Sequence, residues 1–70
     1  MDRYAIGNNI NALLRERRMK QKELAALIGV TEPTMSNWIT GIRQPTCYGL
    51  FRISKVLGVT MEELMKGIEG

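Results

Sequence analysis

Apolar residues in this chain recur at helical spacing, but only in short bursts, and a glycine cuts off nearly every burst. That punctuation excludes long helices and extended sheets and leaves a bundle of short helices. Ile6, Ile10, Leu13 and Leu14 fall at i, i+4, i+7 and i+8, one stripe of a first helix of about three turns that frays near Arg18 and Met19. Leu24, Leu27 and Ile28 mark a second helix that opens near Gln21 and stops at Gly29, which supplies a left-handed C-terminal position. Val30 leads to Thr31, a good N-cap, and Pro33 is tolerated in the first turn of a third helix. Met35, Trp38 and Ile39 are its buried stripe, and Gly41 closes it.

Residues 40–46, Thr-Gly-Ile-Arg-Gln-Pro-Thr, read as a loop. Thr46 caps a fourth helix carrying Leu50, Ile53 and Leu57, which Gly58 ends; Gly49 weakens its first turn by about 1 kcal/mol relative to alanine. Thr60 opens a fifth helix with a capping box to Glu63. Met61, Leu64 and Met65 form its apolar side, and Gly67 ends it. No stretch alternates apolar and polar residues as a half-buried strand does. The expected fold is all-α: a compact five-helix bundle, one domain over residues 1–70 with its core from about residue 6 to 66.

Composition narrows the function. Seventy residues, 44% apolar and 24% charged, suffice for one small core and argue against disorder. The single Cys47 allows no internal disulfide and fits a reducing compartment. With no histidine and one cysteine, no zinc site is expected. No histidine base, phosphate-cradling glycine loop or isolated carboxylate pair points to catalysis, so no enzyme, cofactor or small-molecule ligand is expected. The N-terminus lacks a signal-peptide layout and no run is long enough to span a membrane, so a cytoplasmic location is expected.

The net charge is +3, and its distribution is polarised. Arg15, Arg17, Arg18, Lys20 and Lys22 are opposed only by Glu16, whereas from Met61 onward Glu62, Glu63 and Glu69 face only Lys66. Such polarity suits a face that meets a polyanion, such as double-stranded DNA.

The stretch from Gln21 to Thr40 has helix-turn-helix spacing. Ala25 is small enough for two helices to cross closely, Gly29 makes the turn, and Met35, Trp38 and Ile39 pin the second helix to the first. At about 100° per residue, its opposite side presents Pro33, Ser36, Asn37 and Thr40. An α-helix fits the major groove, where asparagine bonds adenine bidentately and glutamate accepts from cytosine. Asn37 is the leading base reader, followed by Glu32 and Ser36, with Pro33 and the Thr34 methyl as apolar contacts for thymine. The charge of Glu32 is also favourable at a helix N-terminus without any DNA.

These residues resemble the lambda repressor/Cro-like (XRE-type) helix-turn-helix family over about residues 6 to 66. The resemblance is carried by Gln21-Lys22-Glu23-Leu24-Ala25, Ile28-Gly29-Val30-Thr31, Met35-Ser36-Asn37-Trp38, Gly41-Ile42-Arg43-Gln44-Pro45 and Leu57-Gly58-Val59-Thr60 before Glu63-Leu64. It implies that Gln21 clamps a phosphate, that Glu32, Pro33, Thr34 and Asn37 read bases, and that Thr40, Arg43 and Gln44 touch the backbone again. Lys20 stands where the family often has a capping Ser or Thr, and with Lys22 it adds cations beside the phosphate path. Leu14 and Ile39 stand where the family often has a buried ion pair.

Two copies on a palindrome about one helical turn apart are the expected mode of action. Met61, Leu64, Met65 and Ile68 are the expected two-fold contact. Elsewhere, Trp38 is expected to pack in the core, Cys47 to be a small packing residue, Tyr48 to be partly buried, and Asn8, Asn9 and Asn11 to form the wet side of the first helix. The competing reading is an antitoxin-like or adaptor module that binds a protein through the same fold.

Overall fold

The computed structural model describes residues 4–67. Among them the chain forms α1 (Ala5–Glu16), α2 (Gln21–Ile28), α3 (Glu32–Thr40), α4 (Cys47–Leu57) and α5 (Met61–Leu64), with no strand. α1 packs on α3 and α5, α2 on α3 and α4, and α4 on α5.

The helix ends follow from local chemistry. The tripeptide Gly-Val-Thr makes the same turn twice, at residues 29–31 and 58–60. In each, the glycine is left-handed, the valine N–H reaches back to a carbonyl of the preceding helix (Ala25 or Ser54, both 3.0 Å), and the threonine hydroxyl caps the next helix. Thr46 caps α4 in the same way, its Oγ1 accepting from Gly49 N–H at 2.9 Å. The end of α1 is unusual. Arg18 occupies the left-handed region, φ 53°, where α2, α3 and α4 end on glycine, and Met19 N–H closes the turn on the Leu14 carbonyl.

Five side chains at the centre are fully buried: Ile10, Leu24, Met35, Ile53 and Leu64, one from each helix. Each stabilises the fold by about 1.5–3 kcal/mol. Leu14 and Ile39 both lie in this core, so apolar packing occupies the place of an ion pair and no charge is desolvated. Ala25 is buried as expected.

Several expectations need correction. Leu27 is exposed, because the buried stripe of α2 is Leu24, Ala25 and Ile28, and Leu27 lies about 100° from its centre. α5 is a single turn that ends before Gly67, with one inward position, Leu64; Met65 is exposed and Met61 only packs on the core's edge. Cys47 and Tyr48 are exposed on the outer side of α4, whose inner side is taken by Leu50, Ile53, Ser54 and Leu57. Asn9 is half-buried, not wet: its Nδ2 donates to the carbonyls of Leu64 at 2.8 Å and Lys66 at 2.7 Å, holding the end of α5.

Gly7 and Gly49 are the tightest points. A Cβ on Gly7 would collide with the Ile39 carbonyl oxygen and lie 2.6 Å from its carbon; a Cβ on Gly49 would lie 2.6 Å from the Trp38 ring. Gly7→Ala should therefore destabilise the protein by about 2–3 kcal/mol in urea unfolding, although alanine is the better helix former. Arg18→Gly should do the opposite and stabilise it by about 1 kcal/mol, by relieving the left-handed backbone.

Candidate nucleic-acid interface

The rotation of α3 is set by what it buries. Met35, Trp38 and Ile39 face inward, Trp38 lying against Gly49 and the Ile39 backbone against Gly7. The core role expected for Trp38 holds. What faces outward is then fixed: Glu32, Pro33, Ser36 and Thr40 are exposed, and Thr34 and Asn37 are half-buried.

Both ends of α3 are tied. At the start, Thr31 Oγ1 accepts from Thr34 N–H at 3.3 Å and its hydroxyl donates to Thr34 Oγ1 at 2.9 Å, with Pro33 in the first turn. At the end, the Thr40 hydroxyl donates to the Ser36 carbonyl at 2.8 Å, and Arg43 N–H donates to the Asn37 carbonyl at 3.1 Å. These bonds reach the backbone of Ser36 and Asn37, not their side chains. They also draw the start of the following loop, with exposed Arg43 and Gln44, under the end of α3.

At the start of α2, Lys20, Gln21 and Lys22 are all exposed. Lys20 has no acceptor with which to cap, but half of a capping box survives, since its N–H donates to Glu23 Oε1 at 3.2 Å. Gln21 Nε2 donates to Asn11 Oδ1 at a long 3.5 Å, which steadies the glutamine against α1 while leaving it at the surface. α2 packs on α3, so this cationic helix start and the outer side of α3 belong to one rigid unit.

The basic run does not act as one patch. Arg17 Nη2 donates to the Leu57 carbonyl at 2.8 Å, so this cation holds the end of α4. On α4 itself, Arg52 lies 5.6 Å from the centre of the Tyr48 ring and Lys55 5.2 Å from that of Phe51. Sequence reasoning missed this exposed face of alternating rings and cations. The i, i+4 spacing of both pairs is the signal that would have shown it.

Of the expected two-fold contact, Leu64 belongs to the core and presents no surface, Met65 is exposed, and Ile68 lies outside the described residues. A cavity of about 210 Å³ lies between α1 and the end of α5, lined by Asn9, Ala12, Leu13, Glu16, Glu63 and Lys66, with no residue of α3 in its wall. The outer side of α3 is instead an exposed surface on which Glu32, Ser36 and Thr40 are polar. Among the described residues no helix is long and apolar enough to cross a membrane, and no group of His, Cys, Asp or Glu is placed to hold a metal ion.

Comparison with known proteins matches this geometry to a family. The model of the Cro/C1-type HTH DNA-binding domain aligns with residues 9–69. The chain is 33% identical over 63 residues to the HTH-type transcriptional regulator y4dJ of Sinorhizobium fredii, covering 90% of this chain and 82% of that protein. It is 29% identical over 59 residues to the HTH-type transcriptional regulator YqaE of Bacillus subtilis, covering 84% of this chain but only 51% of YqaE. Among solved structures, the DNA-binding domain of the P22 c2 repressor superposes with a TM-score of 0.84 at 27% identity, over 96% of this chain and 88% of that one. The P22 c2 repressor bound to a synthetic operator gives 0.81 at 27% identity, over 90% and 96%.

The division of the basic run is testable on the protein alone. Arg17→Ala should lower unfolding stability by about 1 kcal/mol, because the α4 carbonyl loses a charged donor. Lys22→Ala, at an exposed side chain, should stay within about 0.5 kcal/mol of the parent. Both are read from urea titration.

Proposed function

The chain belongs to the Cro/C1-type helix-turn-helix DNA-binding domains, and from that premise we propose that it is a sequence-specific transcriptional repressor of phage or prophage type, acting as a dimer on a palindromic operator. The observation that carries this reading is the outer side of α3. It is rich in uncharged hydrogen-bonding groups, is locked in rotation by Trp38 and Ile39, and stands in a fold that superposes on an operator-bound repressor. The family is a DNA-binding one and not an enzyme class.

On this reading Asn37 bonds an adenine edge, Ser36 and Glu32 supply further polar base contacts, and Pro33 and Thr34 meet thymine methyl groups. Lys20, Gln21, Lys22, Arg43 and Gln44 hold phosphates and set the register. Thr40 ranks last among the phosphate contacts, because its hydroxyl proton is already given to the Ser36 carbonyl. With Leu64 in the core, α5 offers Met65 and the edge of Met61 to a second copy. Repression is then steric, by occupation of promoter DNA.

A second reading, a protein-binding module of antitoxin or adaptor kind, draws support from exposed Ile42, Tyr48 and Phe51, which lie off the reading helix.

Selection from a pool of random duplexes at moderate salt distinguishes the two. A repressor enriches a palindrome with half-sites about one turn apart, and its affinity falls steeply with salt, by about −0.9 in log–log slope per phosphate contacted. A protein-binding module enriches nothing. Asn37→Ala should weaken operator binding by about 1–3 kcal/mol and relax preference at one position, whereas Gln21→Ala should weaken binding to all sequences alike. Sedimentation equilibrium that shows only monomer with operator present removes the dimer.

A further inference from the structure

The proposal that α3 reads bases can be taken one step further, to which base and by what means. We infer that Glu32 determines specificity by exclusion: its carboxylate accepts from the amino group of one cytosine in each half-site and penalises duplexes that lack it.

The nine residues of α3 include no lysine or arginine, so the pairing most used to read guanine is absent from this helix. Glu32 is its only charge. It is exposed at the first helical position, beside a proline that has no N–H to offer. Its neighbours one turn on, Met35 and Ser36, carry no charge. Among the described residues no ion pair or hydrogen bond engages this carboxylate. It therefore meets DNA as a free anion that can only accept.

In the major groove, guanine offers only acceptors, thymine an acceptor and a methyl group, and adenine a donor beside an acceptor. Cytosine alone presents a donor with no acceptor next to it. Against guanine or thymine, the carboxylate is brought up to the phosphate polyanion with nothing to offset the repulsion, and against adenine the N7 acceptor beside the amino group opposes the one bond it can accept. Glu32 thus sets sequence preference by weakening wrong complexes.

The test is Glu32→Gln in the full chain. This change keeps the shape, removes the charge and adds a donor. Binding is measured to the selected operator, to three variants of it at the cytosine position, and to an unrelated duplex. The parent should prefer cytosine by about tenfold. The variant should lose that preference or move it to adenine, while binding the unrelated duplex about threefold more tightly. Asn37→Ala, measured in parallel, should keep the cytosine preference and lose its own. If Glu32→Gln leaves both the preference and the unrelated affinity unchanged while Asn37→Ala still relaxes its position, base reading by α3 stands and exclusion by Glu32 is overturned. A parent that shows no preference at any position overturns both.

Discussion

The structure depends on the way α3 is held between two glycines. A helix of nine residues has little stability alone, so its neighbours determine both its existence and its rotation. On one side the Ile39 backbone approaches Gly7 of α1 so closely that no side chain fits between them; on the other, the Trp38 ring fills the place of a Cβ on Gly49 of α4. Burial of an indole is worth roughly 4–6 kcal/mol, comparable with the whole stability of a domain this small. Trp38 is therefore unavailable as a stacking platform for a base. Because adjacent side chains differ by about 100° in direction, locking these two residues also fixes which side chains point outward.

Short helices make their ends as important as their middles. Each leaves up to four carbonyls without a partner inside the helix, and α5 is only four residues long. Two polar side chains of the N-terminal region satisfy such groups far along the sequence: Arg17 reaches the Leu57 carbonyl and Asn9 those of Leu64 and Lys66. They join the first and last parts of the chain. One of five basic residues in the run is thereby a structural tie rather than a potential phosphate contact.

What the sequence made legible was local. Glycine stops, threonine caps and the apolar stripes of α1, α3 and α4 act within one or two turns, so they located the helices and the inward face of α3. Assignments that depend on distant neighbours were harder. Three apolar residues on an eight-residue helix do not say which of them is central, and so Leu27 was misplaced. On α4 the spacing of Leu50, Ile53 and Leu57 marks the inward side, but Tyr48 and Phe51 make a second apolar side, and only packing shows that Tyr48, expected to be partly buried, stays out. Gly7 and Gly49 look like weak helix formers until the helices they admit are seen. The α5 contact failed at Leu64 because a single turn has one inward position, and the core takes it.

Affinity and sequence preference, on the reading argued here, rest on different elements. The cations lie at the start of α2 and in the loop after α3, while α3 itself carries one anion and no cation. Flanking positive charge draws the domain to any duplex, and a weakly polar or repulsive reading helix then leaves the choice of site to base edges. Glu32, Pro33 and Ser36 contribute nothing to the core, so exchanging them changes the sequence read without removing any contact the fold depends on. Thr31 and Thr40 differ, since their hydroxyls hold the two ends of the helix. The freedom to acquire new operators is thus confined to the few positions between two fixed ends, on a helix whose other side cannot turn.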